Sequence, residues 1–425
     1  MSDDLIALLD GAVIGTVHRR RGRLSFVYED GWRSQADAYP LSLSMPLAAA
    51  EHGHAVVDAY LWGLLPDNAN ILDRWARRFR VSARNVFGLI AHVGEDCAGA
   101  VQFTRPDRLD VVRRDGPGTV AWLDDAAVAE RLRDLRGDQS AWRRVDDAGQ
   151  FSLAGAQPKT ALVFESGRWG IPSGRRPTTH ILKPPSGELD GHIENEHCSL
   201  ELARRLGLPT ATSRVMHFGD ELAIVVERYD RVRVGATLVR VHQEDVCQAL
   251  GLTPGTKYES EGGPGARTIT DLLREHSRAR DADVDTFVDA LAFNWLVAGT
   301  DAHAKNYSIL IGDGGRARLA PLYDLASALP YPSLDPERMK LAMKLGGEYR
   351  LRNITRRHWV KLATELHLDA DATLARAQRL ATALPDAATD VARRAGVDGL
   401  SHAVVDRLTA LLVARAQRCL ATLRA

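Results

Sequence analysis

The stretch from residue 295 to residue 310, WLVAGTDAHAKNYSIL, constrains the fold most, because it joins a helical pattern to a strand through one polar turn. In residues 284–296 apolar side chains recur every three or four positions, which predicts a helix with one apolar stripe. The turn that follows contains Asp301 and, five residues later, Asn306. Beyond it, YSILIGDGGRARLAPLYD holds two apolar runs joined by GDGG, which predicts a β-hairpin that leads to Asp324.

The order of these polar residues is that of a protein-kinase catalytic loop. In such a loop an Asp accepts the proton of the substrate hydroxyl, an Asn five residues later binds Mg²⁺, and a second Asp after a hairpin completes the metal site. The spacing therefore predicts Asp301 as the catalytic base and Asn306 and Asp324 as magnesium ligands. Because an isolated Asp and Asn at this spacing are common, the interpretation depends on the other parts of the chain.

Upstream segments supply those parts in the order found in kinases. FSLAGAQPKTALVF predicts a strand, a small-residue loop from Ser152 to Lys159 that suits phosphates, and a second strand. THILKPP predicts a strand with Lys183 at its end, IENEHCSLELARRLGL a helix that begins with acidic residues, and ELAIVVERYDR another strand. GAQPKT lacks the second glycine of a Walker A loop, which disfavours a P-loop NTPase. His303 and Lys305 are open to a simpler interpretation as solvated turn residues, and for Lys305 this is favoured.

The composition is that of a globular protein with room for two or three domains, at roughly 150 residues each. Of the 425 residues, 45% are hydrophobic and 26% are charged, and 55 basic residues balance 55 acidic ones, so no overall charge indicates a nucleic-acid or membrane partner. The four cysteines are far apart, which favours reduced thiols over a disulfide or zinc framework. The N-terminus has no signal-peptide pattern, and we expect a cytoplasmic protein without a membrane partner.

Changes in composition divide the chain into three parts. Residues 1–104 combine short alternating segments with the helical stretch NILDRWARRFRV, which predicts a small α+β subdomain. Residues 105–150 are rich in charge and are interpreted as a linker with one helix near 124–136. Residues 151–425 contain all of the kinase-like segments, and their Ala/Arg/Leu-rich end from about residue 370 is interpreted as helical packing.

Many of these motifs occur together in one known family. The chain contains SLAGAQPKTALV, HILKPP, NEHCSLELARRLGL, VERYDR, HQEDVCQALG, KYESEGGPG, GTDAHAKNYSIL and PLYDLAS, with LSLSMPL and LLPDN nearer the N-terminus. On these motifs it resembles the HipA family, the serine/threonine-protein kinase toxins of type II toxin–antitoxin modules. The resemblance implies an α+β fold class: a small N-terminal α+β subdomain, then a protein-kinase-like fold with an N-lobe at about 151–230 and a mainly helical C-lobe at about 231–425.

The resemblance also implies an activity and the residues that perform it. Members transfer phosphate from ATP, with Mg²⁺, to a serine or threonine of a protein, and several thereby inhibit translation by modifying an aminoacyl-tRNA synthetase. Asp301 is again the expected base, and Asn306 and Asp324 the metal ligands. Contacts with ATP are expected from Ser152, Ala154, Gly155, Lys159, Lys183, Glu227, Tyr229, Gln243, His303, Asn306 and Asp324. In this set Lys183 contacts phosphates, whereas Glu227 and Tyr229 lie at the adenine hinge or, equally, at an ordinary strand end.

Ser152 has a second implied role, as the site at which the kinase phosphorylates itself. A phosphoserine adds nearly two negative charges beside a loop that must wrap an anionic ligand, so we expect autophosphorylation to expel the loop and to abolish ATP binding. The simpler alternative is a small residue that merely fits a tight loop.

The implied partners are a HipB-like helix-turn-helix antitoxin and, only through it, operator DNA. The basic clusters HRRRGR at 18–23 and RWARRFR at 74–80 are candidates for phosphate contacts, although exposed charged faces are the favoured interpretation. Two other functions stay open. One is a small-molecule phosphotransferase of the aminoglycoside or choline kinase type, and the other is a non-enzymatic corepressor scaffold.

Overall fold

The computed structural model describes residues 3–113, 115–116, 118–142, 147, 150–185, 187, 189–235, 237–400 and 402–425. The chain forms two compact units. The first unit is Met1–Pro184, Met216–Gly255 and Ile309–Ala317, and the second unit is Pro185–Val215, Thr256–Ser308 and Arg318–Ala425.

The strands follow one another along the whole described chain. In order they are β1 (Asp4–Leu9), β2 (Ala12–Arg20), β3 (Arg23–Tyr28), β4 (Glu51–His52), β5 (Val101–Thr104), β6 (Gly118–Leu123), β7 (Thr160–Glu165), β8 (Arg168–Gly174), β9 (His180–Lys183), β10 (Ser213–Phe218), β11 (Glu221–Glu227), β12 (Arg231–Val234), β13 (Thr237–Arg240), β14 (His242–Asp245), β15 (Ser308–Gly312), β16 (Arg316–Leu319), β17 (Lys340–Leu345) and β18 (Glu348–Arg350).

The α-helices are distributed over both units. In order they are α1 (Asp30–Arg33), α2 (His54–Gly63), α3 (Ala69–Phe79), α4 (Val86–Val93), α5 (Leu109–Val112), α6 (Asp125–Gly137), α7 (His192–Arg205), α8 (Val246–Ala249), α9 (Ala266–His276), α10 (Arg280–Val297), α11 (Arg356–Glu365), α12 (Ala370–Val397) and α13 (Ala403–Arg424). Among the described residues, none of these helices is both long enough and apolar enough to cross a membrane.

The first unit is built on two sheets. A five-stranded sheet has the order β4-β3-β2-β1-β5, with every neighbouring pair antiparallel, and packs with α2, α3 and α4 around one apolar core. A six-stranded sheet has the order β10-β11-β9-β7-β8-β6. Its face buries Leu162, Leu182 and Val225 against Leu132 of α6. The smaller sheets are β12-β13 and β14-β15-β16.

The second unit is mainly helical and contains α7, α9–α13 and the small sheet β17-β18, with α9, α10 and α11 in contact with β17. Its central helix is α10, which confirms the helix predicted from the apolar stripe at 284–296. The apolar stripe predicted only one buried face. The helix is buried more deeply than that, because the charged residues Asp283 and Asp289 are buried as well. Their charges are compensated: Asp283 pairs with Arg318 at 3.0 Å, and Asp289 pairs with Arg376 of α12 at 2.9 Å. The C-terminal end of the chain supplies the long helices α12 and α13, as predicted.

Most of the predicted elements are present, and one is not. The hairpin after Asn306 is confirmed as β15 and β16 around the GDGG turn, and the predicted strands at THILKPP and ELAIVVE are β9 and β11. The first strand predicted in FSLAGAQPKTALVF is wrong, because residues 151–154 have no strand structure. Their apolar side chains Phe151 and Leu153 are buried in the core of the first unit instead, so burial without strand pairing produced the apolar pattern.

A buried ionic cluster joins distant segments within the first unit. Arg231 donates to Asp96 at 2.9 Å, and Arg228 donates to Asp230 at 2.8 Å. Although burial alone would raise it, the guanidinium groups of Arg231, Arg240 and Arg228 hold the pKa of Asp96 well below its usual range. Burial and neighbouring arginines lower the pKa of Arg231 to about 10. Removing one partner would leave an unpaired buried charge, so the cluster fixes the VERYDR segment firmly.

The four cysteines are free and buried. Burial raises the pKa of the Cys97 thiol to about 12, which makes it a poor nucleophile.

Candidate active site

The polar turn predicted from the sequence begins where α10 ends, in the second unit. Ala298 ends the helix in the left-handed region, with a φ of 53°. The backbone N–H of Gly299 then donates to Asn294 O at 2.8 Å. A Cβ at Gly299 would clash with Asn294 Oδ1, so a larger residue here would have to displace the Asn294 side chain. The turn continues to a single 3₁₀ turn at Ala304–Asn306, after which β15 starts.

Asp301 and Asn306 are held together in this turn. Asp301 is exposed, whereas Asn306 is largely buried. The side-chain amide of Asn306 donates from Nδ2 to the backbone oxygen of Asp301 at 2.8 Å, and the backbone N–H of His303 donates to the same oxygen at 2.8 Å. This bond orients the amide of Asn306, so that its Oδ1 points away from Asp301 O.

Two further residues of the turn are less exposed than a solvated turn would require. His303 and Lys305 have relative exposures of only 5% each. The favoured interpretation of Lys305 as a solvated residue is therefore wrong. Its backbone oxygen accepts a hydrogen bond from the hydroxyl of Tyr323 at 2.6 Å, which shows why the turn packs inward here.

Asp324 lies one residue beyond that tyrosine and has an uncommon backbone conformation. Its φ is 56°, in the left-handed region that few residues other than Gly, Asn and Asp adopt. Such conformations cluster at functional sites, where surrounding contacts enforce them. The neighbouring Tyr323 is held in place: its hydroxyl donates to Lys305 O and lies 2.7 Å from the hydroxyl of Ser308.

Asn195 is a residue whose importance the sequence did not reveal. It lies on α7, is fully buried, and donates to Ser327 O at 2.7 Å while accepting from Ser327 N at 3.1 Å. It thereby fixes the segment PLYDLAS that carries Asp324. The motif NEHCSLELARRLGL contains it, but its partner lies 132 positions away, so no local signal assigns it this role.

The predicted phosphate loop, Ser152 to Lys159, lies in the first unit and is tied to the LLPDN motif. The hydroxyl of Ser152 donates to Leu64 O at 2.7 Å, and Asp67 N donates to Gly155 O at 3.2 Å. Pro66 and Gly155 also form a parallel β-bridge. The LLPDN motif therefore forms one wall of the loop, and Ser152 itself is fully buried.

The lysine of this loop folds back on it. Lys159 Nζ donates to the backbone oxygen of Ala154 at 2.6 Å and lies 5.1 Å from the centre of the Trp142 ring. Gly155 has a φ of 102°, and a Cβ there would lie 2.5 Å from Lys159 Nζ. A side chain at Gly155 would thus fill the space beside Lys159. A phosphate group that binds this lysine needs that space.

Lys183 and the other expected nucleotide residues also lie in the first unit. Lys183 ends β9, where it pairs with Ile224 of β11, and it is largely buried. Glu227 ends β11 and is exposed. The hydroxyl of Tyr229 donates to Gln243 Oε1, and Gln243 Nε2 donates to Asp230 at 3.3 Å. The structure thus brings Tyr229 and Gln243 together, which their spacing in the sequence did not predict.

Most arginines of the two basic clusters are exposed, which fits the favoured interpretation as charged faces and the alternative of phosphate contacts equally. Arg20, Arg21 and Arg23 are exposed around the turn between β2 and β3, and Arg20 pairs with Asp4 at 3.1 Å. In the second cluster the arginines flank the buried Trp75 of α3.

Comparison with known proteins identifies the family. The sequence-family model of the HipA N-terminal domain matches residues 5–104. The family model of the HipA-like C-terminal domain matches residues 151–388, which are more than half of the chain. The chain belongs to the HipA family. A putative kinase of Sinorhizobium fredii, Y4mE, is 38% identical over 364 residues, which cover 84% of this chain and 84% of that protein.

Named HipA proteins are also among the relatives. The serine/threonine-protein kinase toxin HipA of Shewanella oneidensis is 29% identical over 86% of this chain and 83% of its own length. A solved structure of a HipA from the same organism, in complex with HipB and operator DNA, covers 99% of this chain and 98% of its own, with a TM-score of 0.83 and 26% identity. The α+β, kinase-like fold is confirmed, and the chain is a HipA-type serine/threonine kinase.

Taken separately, each unit contains residue types that suit one part of a magnesium nucleotide. Amide and carboxylate oxygens, as in Asn306 and Asp324, are hard ligands of the kind that Mg²⁺ prefers. Mg²⁺ is commonly held by one or two protein oxygens together with the phosphates of a nucleotide. Lys159 and Lys183 offer positive charge to phosphate oxygens, and Gly155 leaves open the space beside Lys159.

Proposed function

We propose that the chain is an ATP-dependent serine/threonine protein kinase that acts as the toxin of a toxin–antitoxin pair. The observation that carries the proposal is the polar turn of the second unit, in which an exposed Asp301 and an oriented Asn306 share one hydrogen-bonded loop. Family membership and the kinase toxin among the relatives support the same function.

In this proposal each residue of the candidate site has one task. Asp301 accepts the proton of the substrate hydroxyl, and Asn306 and Asp324 hold Mg²⁺ through oxygen atoms. ATP would supply the phosphoryl group, and Mg²⁺ held by these residues would neutralise its charge. The remaining contacts with ATP come from Ser152, Ala154, Gly155, Lys159, Lys183, Glu227, Tyr229, Gln243 and His303.

The proposal includes autophosphorylation at Ser152. Because the Ser152 hydroxyl is buried and donates to Leu64 O, the loop must leave the LLPDN segment before that hydroxyl is phosphorylated. A phosphoserine does not suit this buried position, since its charge would lose its hydration there. Autophosphorylation therefore switches the kinase off.

We further propose a HipB-like helix-turn-helix antitoxin as the partner, with operator DNA contacted only through it. The related HipA structure was solved with HipB and operator DNA, which supports this pairing. The substrate is a cytoplasmic protein such as an aminoacyl-tRNA synthetase, whose modification inhibits translation. The division into an N-terminal subdomain at 1–104, a linker at 105–150 and a kinase region at 151–425 is part of the same proposal.

Phosphate transfer from radiolabelled ATP tests the proposed function. Purified chain is incubated with Mg²⁺, labelled ATP and either the proteins of a cell lysate or small alcohols such as choline and aminoglycosides. We expect label on protein serine or threonine, including Ser152.

Asp301→Asn is the matched control, because it keeps the size of the side chain and removes the base. We expect its rate of transfer to fall by about 10² to 10⁴-fold, the usual contribution of general base catalysis. Near-normal transfer by this variant would contradict the role of Asp301. Label found only on small alcohols would support a small-molecule phosphotransferase, and no consumption of ATP would support a corepressor scaffold.

A further inference from the structure

The segment KYESEGGPG, residues 257–265, contacts the candidate base directly. The hydroxyl of Tyr258 donates to Asp301 Oδ1 at 2.6 Å. This is a short hydrogen bond to a charged acceptor, a class about twice as strong as bonds between neutral groups. Both residues belong to the second unit.

Tyr258 is positioned by several contacts of its own segment. Its ring packs edge-on against the ring of His303, with 4.9 Å between centroids. Next to it, Lys257 O accepts from Ala304 N at 3.2 Å, which fastens the segment to the polar turn. On its other side, Glu259 accepts from the backbone N–H of Lys344 at 2.6 Å.

Gly263, one of three glycines in the segment, keeps the segment folded on itself. Gly263 N donates to Tyr258 O at 2.9 Å, and a Cβ at Gly263 would collide with Thr256 O. The tyrosine therefore lies on a compact loop that is hydrogen-bonded to the polar turn at Lys257 and to Lys344 at Glu259.

The geometry leaves the carboxylate able to act. An ionised carboxylate has about four acceptor positions on its two oxygens, of which Tyr258 occupies one on Oδ1. A general base must lie within hydrogen-bond reach of the proton that it accepts, and small misplacements cost rate steeply. A fixed donor on one oxygen restricts rotation of the side chain and leaves Oδ2 to face a substrate hydroxyl.

We propose that Tyr258 is a positioning residue that orients Asp301 for phosphate transfer. The inference rests on the proposed kinase function. Tyr258 keeps its own proton throughout: the substrate hydroxyl gives its proton to Asp301, and Tyr258 holds that carboxylate in place while it does so.

Tyr258→Phe tests this role, because phenylalanine retains the ring against His303 and removes only the hydroxyl. We expect kcat to fall about tenfold, as the loss of one hydrogen bond to a charged group predicts, while KM for ATP stays unchanged. The matched control is Tyr39→Phe, which removes a tyrosine hydroxyl in the first unit, outside the candidate site, and should leave kcat unchanged.

The same substitution in the Asp301→Asn background separates positioning from a general structural role. If Tyr258 acts through Asp301, the double variant has the same residual rate as Asp301→Asn alone. An unchanged kcat for Tyr258→Phe in an active kinase, or an equal loss in both backgrounds, overturns the inference and leaves the proposed function standing. A wild-type chain that transfers no phosphate overturns the proposed function, and with it this inference.

Discussion

Glu244 illustrates at the residue scale how buried polar groups fix the N-terminal motif LSLSMPL. Its carboxyl is almost completely buried and accepts from Leu43 N at 2.7 Å. The neighbouring Ser44 hydroxyl donates to Gln248 O at 2.9 Å. Burial raises the pKa of Glu244 to about 8, so this group is protonated in the folded chain at neutral pH. The motif is thus held by an uncharged carboxyl.

Glu244→Gln should change how stability depends on pH. Between about 4.5 and 8 the folded chain retains a proton that the unfolded chain releases, so the free energy of unfolding falls as pH rises through this range. The slope is roughly 1.4 kcal/mol per pH unit for one group. Glutamine cannot ionise, and the variant should lose this slope. Urea unfolding at several pH values between 6.5 and 8 measures it.

The range starts at 6.5 because His242 has the opposite effect below it. Burial lowers the pKa of His242 to about 4, so between 4 and 6.5 this group favours folding as pH rises. Parallel stability profiles for the wild-type chain and Glu244→Gln above pH 6.5 would show that Glu244 does not titrate in this way.

The phosphate loop shows at the element scale how an irregular segment is held. Ser152 donates to Leu64 O, Gly155 bridges to Pro66, and Lys159 closes the loop on Ala154. Each of these contacts involves a backbone group, and the loop itself forms no helix or extended strand. Ser152 is fully buried, so a phosphate on its hydroxyl would lose its hydration unless the loop left this position.

Phosphorylation of Ser152 should therefore release this loop and abolish ATP binding. Nucleotide titration by calorimetry compares the phosphorylated chain with Ser152→Ala. The alanine variant lacks only the bond to Leu64 O and should bind ATP nearly as the unmodified chain does. Equal affinities for the phosphorylated chain and Ser152→Ala would refute the switch.

The elements differ in how well the sequence predicts them. Helix α10 and the β15–β16 hairpin depend on local periodicity and on the GDGG turn, and both were predicted. The order and spacing of Asp301, Asn306 and Asp324 could likewise be read from the sequence. The contacts of Tyr258 and Asn195 were not, because their partners lie 43 and 132 positions away and are chosen by packing. Residues 151–154 were misjudged since a buried loop and a buried strand have the same apolar pattern.

At the scale of the whole molecule, the residues expected to contact ATP or Mg²⁺ occur in both units. Lys159, Lys183 and Tyr229 belong to the first unit, and Asn306 and Asp324 to the second. A ligand that binds only the folded chain stabilises it by mass action, by about 2.7 kcal/mol at a concentration of 100 times Kd. The change in stability on adding ATP and Mg²⁺ thus measures whether the chain binds them.

Asp324→Asn should remove the magnesium-dependent part of this stabilisation. Asparagine tolerates the left-handed backbone of Asp324, so the variant loses charge and not conformation. Thermal unfolding with ATP alone and with ATP plus Mg²⁺ makes the comparison. We expect Mg²⁺ to raise the Tm of the wild-type chain beyond the effect of ATP alone, and to add little for the variant. An equal rise in both proteins would contradict the metal-ligand role.

The bridge between Pro66 and Gly155 bears on how such a kinase can be inherited. Recombination that joined the region after residue 150 to an unrelated N-terminal domain would separate the phosphate loop from the LLPDN backbone that binds it. The Ser152 hydroxyl and the Gly155 carbonyl would then face water or a foreign surface. We therefore expect recombination to keep the LLPDN segment and the region after residue 150 together in one gene.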